Sequence, residues 1–133
     1  MPLVVDASVA VAWFARNQAT DYTDRIRRLA RGERLHVPAV WPLELTNALR
    51  QLERRKLLSD RQVNTIIELI EPLDIVVHKD IPPPRRLLAV ARDHDLSSYD
   101  ASYLDLALAL RYPVACRDGA LKDALRASGV RLA

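Results

Sequence analysis

The feature that most constrains the fold of this chain is the alternation of short aliphatic runs with longer segments of helical periodicity. The runs are interpreted as strands and lie at residues 3–5, 35–37, 75–77 and 114–115, with 130–132 as a candidate edge strand. Strands that alternate with helices favour a mostly parallel sheet covered on both faces. The predicted fold class is therefore α/β, with three α/β/α layers around a central, mostly parallel sheet.

Turn and capping residues mark the ends of several predicted helices. Gly32 and Gly129 are expected to stop two of them, and Pro42 lies where a helix tolerates proline in its first turn. Ser59 with Gln62 has the spacing of a capping box. The predicted helices cover about residues 8–16, 20–31, 42–56, 59–71, 85–94, 98–111 and 118–128.

The length and composition indicate a small globular protein. A chain of 133 residues is expected to form one domain, covering residues 1–133. Hydrophobic residues make up 50% and charged residues 28%, which is typical of a soluble protein. The longest uncharged apolar run, residues 7–15, is about half the length that a membrane helix needs. Because Asp6 also interrupts the N-terminal apolar stretch, no signal peptide is expected, and the predicted location is the cytoplasm.

Several kinds of site are excluded by residue counts and spacing. One cysteine, Cys116, excludes an internal disulfide and a cysteine-based metal site. Three scattered glycines cannot form a phosphate-binding glycine loop. His36, His78 and His94 have no metal-ligand spacing and are interpreted as structural or solvated. Chemistry carried out by carboxylates, assisted by arginine, is what remains.

Four acidic residues lie where predicted strands end and helices begin. Asp6 ends the first strand, Glu44 lies in the first turn of the helix after the second, Asp100 lies in a helix first turn, and Asp118 follows the fourth strand. In a parallel sheet these junctions meet at one edge, where ligands bind. We therefore expect the four carboxylates to converge.

Each acid also has a structural explanation. Asp6 and Asp118 could cap the helices that follow them, Asp100 could complete a capping box with Ser97, and Glu44 could favour the helix dipole. Taken together they indicate more, because four carboxylates held close repel one another unless a cation lies among them. Hard oxygen ligands suit Mg²⁺ or Mn²⁺, and such an ion with its water suits hydrolysis of a phosphodiester.

Neighbouring residues extend the predicted site. Ser8, two residues after Asp6, could bond a metal-bound water or cap its helix, and Asn47 shares a helix face with Glu44. Asp105, five residues after Asp100, points away from it at helical spacing and is left out.

Arginines supply most of the positive charge of the chain, which carries a formal net charge of +3. Five of them, Arg25, Arg27, Arg28, Arg31 and Arg34, form one group. A second group covers residues 54–56. These groups make nucleic acid a candidate partner, although a solvated helix face or a compositional bias explains them equally well.

At the four acids the sequence resembles the PIN-domain family, and most closely its VapC-type toxin ribonucleases. The resemblance lies in Val5-Asp6-Ala7-Ser8, in residues 38–47 with Glu44 and Asn47, in residues 96–101 around Asp100, and in Ala115-Cys116-Arg117-Asp118. It implies an endoribonuclease dependent on Mg²⁺ or Mn²⁺ that cleaves structured RNA such as tRNA or rRNA. It further implies a homodimer and inhibition by a separate small antitoxin.

One residue departs from the family pattern. The family usually has threonine or serine two residues before the fourth acid, where this chain has Cys116. A thiol is a weaker hydrogen-bond partner than a hydroxyl. The alternative function is therefore a catalytically silent PIN-like module that binds RNA or a protein. A phosphoryl-transfer receiver domain is disfavoured, because Ala7 stands where a second acid is needed.

Overall fold

The computed structural model describes residues 1–117 and 119–133. Within these residues, all strands pair in parallel in one sheet of order β3-β2-β1-β4. The strands are β1 (Leu3–Val5), β2 (Leu35–Pro38), β3 (Ile75–His78) and β4 (Val114–Ala115). Leu35 pairs with Leu3 on one side and with Ile75 on the other, and Val4 pairs with Val114.

The helices of the described residues cover the sheet in two packing groups. They are α1 (Ala7–Phe14), α2 (Asp21–Ala30), α3 (Trp41–Arg54), α4 (Asp60–Ile70), α5 (Pro84–His94), α6 (Ser98–Leu110) and α7 (Gly119–Ala127). Helix α1 packs on α2, α3 and α4, whereas α6 packs on α5, α7, β1 and β2. The predicted fold class, a parallel sheet between helical layers, is confirmed.

The centre of the core is the first supersecondary unit of the chain. All three residues of β1 are buried, and α1 is buried around most of its circumference, including Val9, Val11 and Trp13. A helix that is apolar on all sides is stable only inside a protein. This unit therefore fixes Asp6, which joins β1 to α1, at the middle of the sheet edge.

The predicted helix ends agree closely with the structure. Ser59 Oγ accepts from the Gln62 N–H at 3.1 Å, and the Gln62 side chain accepts from the Ser59 N–H at 2.8 Å, so the capping box forms. Gly32 and Gly129 both adopt a φ of +75°, a conformation that favours glycine. Helix α1, however, ends at Phe14 rather than Arg16, because Ala15 is extended and a 3₁₀ turn, Arg16–Gln18, follows.

The candidate edge strand at residues 130–132 is reduced to a single bridge. Leu132 pairs in parallel with Val114, supported by bonds from the Val114 N–H to the Arg131 carbonyl and from the Ala133 N–H to the Val114 carbonyl. The candidate strand is thus present only as this bridge, beside a β4 of two residues.

Two of the histidines come together on the sheet. His36 Nδ1 lies 2.8 Å from His78 Nε2, and the ring of Tyr112 lies 5.0 Å from that of His36. Burial, then the neighbouring His78 and Arg34, lowers the pKa of His36. This contact links β2 to β3 and agrees with a structural role for these two residues. In the described part of the chain, every helix is too short or too polar to span a bilayer.

Candidate active site

The carboxyl ends of the parallel strands bring the predicted acidic segments to one edge of the sheet. The Asp6 N–H donates to the carbonyl of Ala115 at 3.0 Å, which ties the end of β1 to the end of β4. Helix α3, with Glu44 in its first turn, begins three residues after β2. We call this the acid edge, defined by Asp6, Glu44 and Asp100.

Asp6 is 8% exposed and does not serve as a side-chain cap of α1. Its backbone carbonyl accepts from the Val9 N–H at 3.1 Å, so only the main chain begins the helix. The carboxylate Oδ2 instead accepts a hydrogen bond from the Ser8 hydroxyl at 2.6 Å. The structure thus shows a role of Ser8 that differs from the two considered above: its hydroxyl bonds Asp6 directly and orients the carboxylate.

Glu44 is half-buried and accepts a hydrogen bond from the hydroxyl of Tyr103, which lies 2.7 Å from Glu44 Oε1. Glu44 belongs to α3 and Tyr103 to α6, which lie in different packing groups. The bond therefore joins the two helical layers at the acid edge.

Tyr103 is a residue of the site that sequence reasoning missed. It is completely buried, and its pKa is raised by burial first and then by the charges of Asp6 and Glu44. The phenol consequently stays protonated and acts as a donor at any working pH. Glu44 is bonded to this hydroxyl, and the charge of Asp6 also acts on it.

Asp100 lies one helical turn before Tyr103 on α6 and is half-buried. Residues three apart share a helix face, so Asp100 lies on the face of α6 that carries Tyr103. Its N–H donates to the Ser97 Oγ at 3.1 Å, so Ser97 caps α6 as one of the two explanations for this pair expects.

Cys116 follows β4 and is 1% exposed. A backbone hydrogen bond from Cys116 reaches the Tyr22 hydroxyl, and burial, then Cys116, raises the pKa of Tyr22. Tyr22 is the second aromatic residue at this edge that the sequence did not indicate. Asp118, the fourth predicted acid, lies outside the described residues.

Two further residues considered in the sequence lie outside this hydrogen-bonded group. Asn47 is exposed on α3. Asp105, left out of the predicted set, accepts a hydrogen bond from Arg86 of α5 at 2.9 Å and forms an ion pair with it. Asp105 is therefore neutralised by its own arginine.

The donor set is composed of carboxylate and hydroxyl oxygens, which suit a hard dication such as Mg²⁺ or Mn²⁺. Across residues 1–117 and 119–133, no three His, Cys, Asp or Glu side chains form a complete metal-binding group. The carboxylates of Asp6 and Glu44, both acting on Tyr103, nevertheless fit such an ion by their chemistry.

Comparison with known proteins agrees with this architecture. The family model described as "PIN domain" matches residues 3–125, and the chain therefore belongs to the PIN-domain family. Among its relatives is Ribonuclease VapC9 of Mycobacterium tuberculosis, 31% identical over 91% of this chain and 89% of the relative. Ribonuclease VapC12 of the same organism is 29% identical over 90% of this chain and 88% of its own length.

Solved structures show the same fold. FitAcB from Neisseria gonorrhoeae superposes with a TM-score of 0.67 at 18% identity, covering 98% of this chain and 95% of the other. PAE2754 from Pyrobaculum aerophilum gives a TM-score of 0.63 at 22% identity, covering 93% and 84% respectively.

Proposed function

We propose that this protein is a metal-dependent endoribonuclease and the toxin of a toxin–antitoxin pair. The observation that carries the proposal is the acid edge: Asp6, bonded to Ser8, and Glu44, bonded to the buried Tyr103, lie at the carboxyl ends of the strands of a parallel sheet. Membership of the PIN-domain family and the similarity to proteins named VapC ribonuclease support it. The substrate is RNA, with tRNA or rRNA as the expected targets.

In this proposal Asp6, Glu44, Asp100 and Asp118 hold Mg²⁺ or Mn²⁺. When bound, the ion supplies activation of water and neutralisation of charge on the phosphate. Ser8 and Tyr103 are positioning residues, because each donates a hydrogen bond to one carboxylate and so fixes its orientation. The burial of Asp6 strengthens its interaction with a cation, since little water competes there.

The proposed partners are a separate antitoxin protein and a second copy of this chain, with which it forms a homodimer in the cytoplasm. The antitoxin is the partner implied by the resemblance to VapC-type toxins, and the relatives Ribonuclease VapC9 and Ribonuclease VapC12 support that resemblance. Sedimentation of the purified protein checks the dimer: a mass twice 15.0 kDa is expected, and a monomer at every concentration contradicts it.

The test is cleavage of RNA with added Mg²⁺ or Mn²⁺, comparing the parent with Asp6→Asn and Asp100→Asn. Each substitution keeps the shape and removes the charge, so we expect the rate to fall by about 10²-fold or more. Asp105→Asn is the matched control on α6, and it should cleave like the parent because its carboxylate pairs with Arg86. Undiminished cleavage by both site variants would refute the carboxylate role.

The second candidate, a silent PIN-like module, is favoured by one observation, the thiol of Cys116 two residues before the predicted fourth acid in the sequence. That side chain is buried among apolar residues. RNA binding without any metal-dependent cleavage by the parent would support this candidate over the nuclease.

A further inference from the structure

The arginine group at residues 25–34 is divided between the two edges of the sheet. Arg31 lines a cavity together with Leu35 and Asp74, which lie where β2 begins and just before β3. Arg34 pairs with Asp74 at 3.1 Å. The last members of the group therefore lie at the edge opposite the acids, and the group is not one RNA-facing patch.

Arg27 is used inside the fold. Its guanidinium donates to the carbonyl of Trp13 at 3.0 Å and lies 4.8 Å from the centroid of the Phe14 ring. These contacts hold the end of α1 against α2. Arg27 is thus a structural residue.

Arg25 lies in the first half of α2, and its guanidinium is 5.3 Å from the centroid of the Tyr22 ring. Lys122, from α7, places its Nζ 5.8 Å from the centroid of the same ring. Two cations from different helices therefore meet at one half-buried tyrosine. We call Arg25 and Lys122 the basic rim.

The basic rim borders the acid edge. The Tyr22 hydroxyl is bonded to the backbone of Cys116, directly after β4. The negative charge of Asp6 contributes to the raised pKa of Tyr22. The Arg117 guanidinium also donates to the Gln18 carbonyl at 3.2 Å, which joins the segment after β4 to the segment before α2. The rim and the carboxylates consequently flank the same short stretch of surface.

The chemistry of the rim suits an anion. The ion pairs formed among the described residues do not include Arg25 or Lys122, and two cations at one ring repel each other. Because both cations pack against the Tyr22 ring, the ring is poorly placed to stack a base. A bound phosphate offsets the repulsion between the two cations, and it is a ligand that both ammonium and guanidinium groups favour.

We propose that Arg25 and Lys122 bind an RNA backbone phosphate adjacent to the one that is cleaved. This inference rests on the proposed function, because it takes RNA as the substrate of the acid edge. The contact is with the backbone, so it positions the strand without reading its sequence.

The experiment measures binding of a single-stranded RNA oligonucleotide by fluorescence anisotropy in EDTA, where metal-dependent cleavage is stopped, over a series of salt concentrations. The variants are Arg25→Gln, Lys122→Gln and the double variant. Arg31→Gln on α2 and Arg126→Gln on α7 are matched controls that make the same charge change on the same helices. Arg25→Lys tests whether RNA binding depends on the charge of this side chain rather than on the shape of its guanidinium group.

Each rim substitution is expected to lower the slope of log K against log salt by about 0.7, and the double variant by about twice that, with affinity falling equally for different RNA sequences. The controls and Arg25→Lys should keep the parent slope. A double variant with the parent slope and affinity overturns the rim while leaving the nuclease intact, provided that the parent still cleaves RNA. A parent that neither binds nor cleaves RNA overturns the proposed function itself.

Discussion

Carboxylates at the two edges of the sheet are stabilised in different ways. At the acid edge, Asp6 and Glu44 accept hydrogen bonds from the neutral hydroxyls of Ser8 and Tyr103. At the opposite edge, Glu33 contacts the N-terminal ammonium and Asp74 pairs with Arg34. A hydroxyl orients a carboxylate without cancelling its charge, whereas a cation neutralises it. Carboxylates that are oriented by hydroxyls, as at the acid edge, are suited to a dication.

The largest effect within this comparison is expected for Tyr103→Phe. Removal of the hydroxyl leaves Glu44 without its donor from α6, and loss of such an orienting partner costs about 10- to 100-fold in activity or metal affinity. RNA cleavage as a function of Mn²⁺ concentration measures it, and the midpoint should move to higher Mn²⁺. Tyr99→Phe, an exposed tyrosine one turn earlier on α6, is the control. A lower melting temperature with an unchanged Mn²⁺ midpoint would make Tyr103 merely structural.

Ser8→Ala should have a smaller effect in the same direction. It removes the 2.6 Å bond to Asp6, but Ser8 is only half-buried, so water can replace the hydroxyl and about a tenfold loss of cleavage is expected. Ser59→Ala is the contrasting variant: it removes the cap of α4 and should cost about 1 kcal/mol of stability with no loss of cleavage. Equal activity of Ser8→Ala and the parent would show that Asp6 needs no orienting hydroxyl.

The histidine pair predicts a pH dependence of stability that is separate from activity. The pKa of His36 is lowered from its ordinary value of 6.5, so the unfolded chain takes up that proton more readily than the folded one. Stability should therefore fall as the pH drops through 6.5, and His36→Gln should flatten this dependence. Urea unfolding between pH 8 and about pH 5 measures it. A parent-like slope in the variant would assign the dependence to other groups.

The smallest effect is expected at the opposite edge. Asp74→Asn removes an ion pair whose side chains are 62% and 59% exposed, and such pairs contribute about 0–1 kcal/mol. Cleavage should stay at the parent level, and chemical denaturation should detect little change. A large loss of cleavage in Asp74→Asn would show that carboxylates at both edges of the sheet contribute to activity.

The arrangement of the strands and the placement of the acids could be predicted because both depend on local patterns. Aliphatic runs of three or four residues, such as Leu3–Val5 and Leu35–Pro38, are interrupted by helical segments, and a parallel sheet then brings their ends to one edge. Asp6, Glu44 and Asp100 follow from that rule. The capping alternative for Asp6 could be decided only by side-chain geometry.

Tyr103 and Tyr22 could not be predicted because their roles come from long-range contacts. Tyr103 stands in an apolar helical segment, where its pattern is that of a core residue, and its partner Glu44 is 59 positions away. The arginine group shows the same limit of sequence reasoning. Residues 25–34 are close in sequence, yet α2 runs from the acid edge at Tyr22 to the opposite edge near Arg31, so they do not share one surface.

The central claim, that the acid edge is a dication site, is tested most directly by Mn²⁺ binding measured with electron paramagnetic resonance. The parent should bind Mn²⁺, Asp74→Asn should bind it equally well, and Asp6→Asn should bind it at least about tenfold more weakly. Parent-like binding by Asp6→Asn, or an equal loss in Asp74→Asn, would contradict the account.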